Sequence, residues 1–394
     1  MNVNIFLTAT LLLGFLACQS PPDPLPVPPP VNLPTTAQYP TGPRGKDLAA
    51  TEFVTKPYGP VLPLDTLGFP EPTADLPTVL ARQEKLLDRR WDNRTASLGL
   101  YTQDGIALQE VQERLTAWVE SNDPAVLTSL QAIPLSGRNG KGHVKFTGYY
   151  APELEVRRTP NATFRYPIYR APKAWEGPLP TRQEIDELGA LKGRNLEIAY
   201  AADPVDVYYL QLQGSGYLNF METGKRVLVT YDGTNRKPYR SMERAVNRHP
   251  ELSPRRLDQQ YLKPFLARHP TLRREVLNAN PSYTFFRTST RELSGAAGVP
   301  LSAGYSVAVD PEVIPLGSVL LAALPVSDGT RVTHHEYRLF FAQDTGGKIR
   351  GSGRVDVFFG AGPEAAVAAG QLHHYGKLWI LHPGEVSEMV ASLM

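Results

Sequence analysis

The chain has 394 residues, of which 42% are hydrophobic and 20% charged, and its formal net charge is +2. This composition is ordinary for a globular domain, and so small a charge gives no electrostatic case for nucleic acid or an anionic membrane surface. The single cysteine, Cys18, excludes an internal disulfide and a cysteine-based metal cluster.

At the N-terminus, Val3 to Ala17 is apolar and uncharged. It is too short to span a bilayer comfortably but suited to the apolar region of a signal peptide. The small and apolar residues before Cys18 resemble a bacterial lipoprotein signal over residues 1–18, with Cys18 as the lipidated first residue. An ordinary secretory signal is the alternative. Gln19 replaces the Asp associated with inner-membrane retention, which favours the periplasmic face of the outer membrane over a soluble periplasmic form. Residues 19–74 read as a linker, because Pro21 to Pro43 is proline-dense and nearly free of charge. Extended polyproline chain at ~3.1 Å per residue could hold a folded body roughly 80 Å from its anchor.

The foldable part starts between Gly45 and Asp75. Pro77 to Asp92 is predicted helical, with proline at its start where a missing N–H costs least. Gly105 to Asn122 is a second helix, since Leu108, Val111, Leu115, Trp118 and Val119 recur at helical spacing. HVKFTGYYAPELEV, from His143, is rich in aromatic and β-branched residues and reads as strand. VDVYYLQLQGSGYLNF and KRVLVTYDGTN read as paired strands. In the first, alternation sets Val207, Tyr209, Gln211 and Gln213 on one face. Ser241 to Leu277 turns helical, with Ser253 as N-cap and Pro254 following. From Tyr283 the pattern is β to the end, apart from a helix at Pro363 to Gly370. The order is therefore helices, β, mixed, β. It suggests a barrel domain made of residues 75–152 and 282–394, interrupted by a smaller β domain at 153–281.

Three aspartates fall on or beside apolar runs between Gly304 and Gly360: Asp310 in VAVDPEVIPLG, Asp344 in FFAQDTGGKIRG and Asp356 in GRVDVFFG. Asp310 precedes Pro311 and suits a turn. Asp344-Thr345-Gly346 is the aspartic-protease tripeptide, but that chemistry needs a second copy, which is missing. Asp356 lies inside Val355-Asp356-Val357-Phe358-Phe359, where an unpaired carboxylate is costly. Phe358 shares its strand face, and an acid so placed has a raised pKa and keeps its proton, as a general acid must. The glycines of GGKIRGSGR lack the order of a phosphate loop and allow close approach by a polymer. The adjacent pairs His334-His335 and His373-His374 point apart on a strand, so no metal site is expected.

These motifs, together with FTGYYAPELE, YLQLQGSGYLNF, YDGTNRKPYRSM, NPSYTFFR and GPEAAVAAGQLHHYGKLWIL, closely resemble the membrane-bound lytic murein transglycosylase A family. The three aspartates are those of its C-terminal 3D domain. The resemblance runs from about Asp75 to His382. It implies a mainly β fold with flanking helices, in which a double-psi β-barrel and a smaller inserted β domain enclose a groove for the glycan. It also implies cleavage of the β-1,4 bond between N-acetylmuramic acid and N-acetylglucosamine in peptidoglycan, leaving 1,6-anhydromuramyl ends and using no cofactor. The catalytic aspartate falls on Asp356, with Asp344 and Asp310 in support. Tyr149, Tyr150, Gln213, Ser215, Tyr217 and Arg287 are the groove candidates. The implied partners are glycan strands, the membrane through a lipid anchor, and a cell-wall synthesis or hydrolysis complex. An inverting hydrolase of related fold and an inactive peptidoglycan-binding lipoprotein are the alternatives.

Overall fold

A computed structural model describes residues 62–383, apart from 65–66, 91–95, 99–100, 104, 138–141, 241, 243–258 and 328–331. The signal segment, Cys18, most of the predicted linker and the proposed cap at Ser253 lie outside these residues.

The elements follow in chain order. Strand β1 (Leu62–Pro63) precedes helix α1 (Leu76–Arg90), the short pair β2 (Ala96–Leu98) and β3 (Tyr101–Gln103), and helix α2 (Gly105–Ser121). Next are β4 (Leu130–Pro134), β5 (Val144–Ala151), β6 (Glu153–Arg157), β7 (Tyr166–Tyr169), the short helix α3 (Arg182–Asp186) and β8 (Glu197–Ala201). Then come α4 (Pro204–Gln213), β9 (Ser215–Phe220), β10 (Lys225–Thr234), α5 (Gln259–Arg268) and α6 (Pro270–Asn278). The chain continues through β11 (Thr284–Ser289), β12 (Ser306–Val309), β13 (Val319–Ser327), β14 (Val332–Thr345) and β15 (Arg354–Ala361). Helix α7 (Gly362–Gln371) and strand β16 (His373–Pro383) complete it.

Six strands close a ring in the order β5-β15-β12-β14-β13-β16, and β16 pairs back to β5; β4 and β1 extend it beyond β16. Two of its pairings, β12–β14 and β15–β5, are parallel. Ring closure leaves no free edge among these six strands. Phe146, Val307, Val309, Leu320, Phe340, Val355, Val357 and Ile380 fill the interior. Each such burial is worth about 1.5–3 kcal/mol. One outer flank is covered by α1 and α2, whose Leu76, Leu80, Val111, Leu115 and Trp118 meet Leu321, Phe341 and Trp379. Leu64 joins this cluster and Phe69 stands edge-on to Trp118 at 5.0 Å, so packed structure begins before the predicted linker boundary at 74.

The chain leaves the ring at Pro152, between β5 and β6, and builds a second sheet in the order β11-β10-β9-β6-β8-β7. Its last strand, β11, pairs with β10 through Thr230↔Arg287 and Leu228↔Ser289. Strand pairing therefore carries this sheet past the expected boundary at 281. One face packs Leu154, Val156, Leu218, Phe220, Val229 and Phe286 against α4.

Helix α4 corrects the strand expected at Val205 to Gln213. Asp203 caps it by accepting from Val205 N at 2.8 Å, Pro204 takes the first turn, and Gly214 ends it at φ 80°. The helix is largely apolar because two of its faces are covered. Val207 and Leu210 face the sheet, while Val205, Tyr208 and Tyr209 face α5 and α6 through Leu262, Leu266 and Val276. A doubly buried helix loses the 3.6-residue polarity that would distinguish it from a strand.

Candidate active site

Register on the ring determines which side chains meet. Asp356 on β15 is opposite Thr147 on β5 and Ala308 on β12. Ala308 is in turn opposite Asp344 on β14. Opposed residues share a face. Thr147, Asp356, Ala308 and Asp344 therefore form one lateral row outside the barrel, while Val355 and Val357 point into its core. Asp344 reaches the row through a register shift between Val307 and Ala308. The shift leaves Gln343 turned toward α1, fully buried and bonded to Ser306 and Gln83. Re-aiming a side chain beside a site is a typical use of a bulge. With two strand spacings between them, the Asp344 and Asp356 backbones are roughly 10 Å apart.

Asp356 is 19% exposed. The Thr147 hydroxyl donates to its Oδ1. Arg354 Nη2 donates to Thr147 Oγ1 at 3.3 Å and stands 3.8 Å from Asp356 Oδ1. Burial pushes the Asp356 carboxyl up from its ordinary range. The Arg354 guanidinium pulls it down, Asp344 adds to the rise, and Lys145 weakly opposes it.

Asp344 is held differently. Its Oδ1 accepts from the backbone N–H of Ala296 and of Thr345, each at 2.9 Å, and its Oδ2 accepts from Tyr149 Oη at 2.8 Å. Burial raises its pKa, against the pull of these three donors. The Tyr149 phenol is itself raised well above its usual value by burial and then by Asp344. Asp310 is away from the row. Its Oδ1 accepts from Glu312 N and its Oδ2 from Gly351 N at 2.7 Å, tying the turn after β12 to the loop before β15.

The second sheet offers the facing wall. Along β9, Gly216, Leu218 and Phe220 point into that sheet's core, leaving Ser215 and Tyr217 on the opposite face. Arg287 shares this face, since Thr230 is opposite both Ser215 and Arg287; it is 66% exposed and 3.4 Å from Asp232. Tyr217 packs with Tyr149 against Phe358, Leu301 and Ala151, which joins the two walls at their base. Arg226 covers the Tyr217 ring at 3.4 Å and is ion-paired to Glu153 at 2.5 Å.

Two groove candidates lie elsewhere. Tyr150 is buried against Ala365 and Ala369 of α7, because the alternation that exposes Tyr149 turns its neighbour inward. Gln213 ends α4 and accepts from Tyr150 N at 3.3 Å, a contact between domains. Reading the sequence missed Thr147, Ala308 and Arg354. Alternation along VKFTGYY gives Lys145, Thr147 and Tyr149 one face, and Arg354, two residues before Asp356, shares that acid's strand face; these are the local signals for Thr147 and Arg354. Among the described residues no group of three His, Cys, Asp or Glu side chains is placed to hold a metal.

Residues 145–287 match the MltA specific insert domain and residues 305–382 the 3D domain. A membrane-bound lytic murein transglycosylase A from Vibrio cholerae is 37% identical over 276 residues, covering 68% of this chain and 74% of that protein. The protein of that name from Escherichia coli K12 is 34% identical over 342 residues, covering 86% and 89%. A crystal structure of E. coli MltA with bound chitohexaose superposes with a TM-score of 0.68 at 30% identity, covering 81% of this chain and 94% of that one.

Proposed function

The chain belongs to the membrane-bound lytic murein transglycosylase A family, and on that premise we propose that a single carboxylate, Asp356, carries its cleavage of peptidoglycan. The enzyme is a lytic transglycosylase, a lyase that breaks the glycan of the cell wall. The observation carrying the assignment is geometric: Asp356 sits on a rigid strand with its Oδ1 held by Thr147, whereas both oxygens of Asp344 already accept hydrogen bonds from the protein.

With Oδ1 engaged by Thr147, the acid proton resides on Oδ2. It passes to the glycosidic oxygen between N-acetylmuramic acid and N-acetylglucosamine as that bond breaks and positive charge grows at C1. The resulting carboxylate takes the proton of the muramic acid C6 hydroxyl, whose oxygen closes on C1. The nucleophile is intramolecular, so its high effective molarity removes the need for a second carboxylate to activate water. An inverting hydrolase would require Asp344 as base. Its two oxygens already accept from Ala296, Thr345 and Tyr149, which favours a supporting role.

The glycan strand runs between the acid row and the Ser215–Tyr217–Arg287 face. Binding of chitohexaose by the E. coli relative supports a sugar polymer in this position. The family's name supports membrane association in the cell envelope. The anchor we propose is lipidated Cys18, on the periplasmic face of the outer membrane. The barrel is assigned to both ends of the chain and the inserted domain to the middle.

Digestion of purified sacculi, followed by mass spectrometry, tests the reaction. Anhydromuramyl ends are expected. Reducing ends alone would mean hydrolysis, and no soluble product would mean a binding protein. Asp356→Asn is expected to lose at least ~10²-fold in rate while still sedimenting with sacculi; normal turnover in this variant would remove Asp356 from the mechanism.

A further inference from the structure

Two sequence segments left without a role above meet across the groove. Lys348, in the loop between β14 and β15, stands 3.0 Å from the ring centroid of Tyr239, in the segment after β10. Tyr239 is 37% exposed. Arg236 and Arg240, within three residues of Tyr239 in sequence, and Lys348 and Arg350 of the opposing loop are all exposed. None of Arg236, Arg240 and Arg350 is ion-paired to a carboxylate among the described residues. Lys237, the remaining cation of that segment, lies near Glu184. The loop bearing Lys348 and Arg350 joins Asp344 to Asp356, so this patch is at the rim of the acid row. Bringing like charges together from two domains is unfavourable unless an anion occupies the space. A chain with a net charge of only +2 has no general excess of cations to scatter there.

We infer that Arg236, Arg240, Lys348 and Arg350 form a subsite for the carboxylates of the peptide carried on each muramic acid, and that they select peptide-bearing strands over bare glycan. This rests on the peptidoglycan reading above. Where a peptide is attached, the muramic lactyl carboxyl is an amide and the sugar backbone is uncharged, so the free carboxylates of the peptides are the anions such a rim meets when a strand lies in the groove. Lys348 resting on Tyr239 holds an exposed cation in place before substrate arrives, which lowers the ordering cost of the contact.

The test compares peptide-bearing strands with the same strands stripped of peptide by an amidase and then amidated at the muramic lactyl carboxyl that the amidase exposes, reading anhydro-end formation. For the full-length protein carrying Arg236→Gln, Arg240→Gln, Lys348→Gln and Arg350→Gln together, KM for peptide-bearing strands is expected to rise about tenfold, as four screened charge contacts are lost. Its kcat, and both constants on stripped strands, are expected to stay unchanged. Unmodified protein supplies a second measurement that does not depend on how the variant folds: added salt should raise KM for peptide-bearing strands and not for stripped ones. Equal changes on both substrates, or none, would overturn the subsite. So would loss of binding to vesicles containing anionic phospholipid with KM on peptide-bearing strands unaltered, which would assign the patch to the membrane. Absence of anhydro ends from unmodified protein would instead strike the transglycosylase reading itself.

Discussion

Arg354 acts on Asp356 in two directions. It braces Thr147, which holds the acid, yet its positive charge favours the ionised carboxylate that cannot donate. Burial outweighs that charge and the carboxyl remains raised. Removing the cation should raise it further. Arg354→Gln is therefore expected to move the alkaline limb of the kcat/KM profile to higher pH, since the protonated acid then persists further into the alkaline range. Peak activity should fall because Thr147 loses its brace. A limb that stays put or moves to lower pH would show that Arg354 does not control this acid. Tyr149→Phe tests the other carboxylate: it strips one donor from Asp344 and should cost activity without moving that limb as far. Asp356 was legible in the sequence because alternation within Val355–Phe359 sets one acid among apolar neighbours. Its partners were not. Thr147 lies 209 residues away and Tyr149 is 195 residues from Asp344, and no local pattern encodes a contact made by ring closure.

At the scale of elements, the long strands and the two N-terminal helices could be read directly, the helices because each keeps an apolar period and the strands because they are rich in β-branched and aromatic residues. Helix α4 could not, because two of its faces are buried against different partners. Its stop and start signals, Asp203-Pro204 and Gly214, were present and outvoted by the alternating run between them. These signals should carry measurable energy. Asp203→Ala is expected to cost about 1 kcal/mol of unfolding free energy by loss of the cap. Gly214→Ala should cost roughly 1–2 kcal/mol for a left-handed alanine, although the space around its Cβ is open. Urea denaturation measures both, and a neutral result for each would mean that α4 is held by tertiary packing alone. Gly148 presents the opposite case. A Cβ there would come 2.6 Å from Ala369 Cα, so Gly148→Ala must push α7 off β5. That change should reduce stability by about 1–3 kcal/mol and displace the residues on either side, Thr147 and Tyr149, reducing activity more than either substitution in α4. The bulge that swaps Gln343 for Asp344 was also hidden, since a one-residue slip leaves no trace in composition.

At the scale of the whole molecule, a barrel from both ends of the chain and a sheet from its middle hold the acid row and its facing wall. Attachment to the envelope is a separate matter that the N-terminus would govern. Cys18→Ala is expected to abolish incorporation of a palmitate label and to move the protein from the membrane to the soluble fraction, with activity on isolated sacculi retained. A labelled, membrane-bound variant would point to another anchor. The β5–β15 pairing has a temporal consequence as well. Thr147 and Asp356 become neighbours only when a strand from the last part of the chain docks in parallel beside one made far earlier, with a whole domain between them. Contacts of such separation form slowly and late. Synthesis and export therefore deliver a chain that has no cutting site along most of its length. A cell-wall lyase built this way is inactive until its own folding is nearly complete, and it needs no inhibitory segment to keep it so.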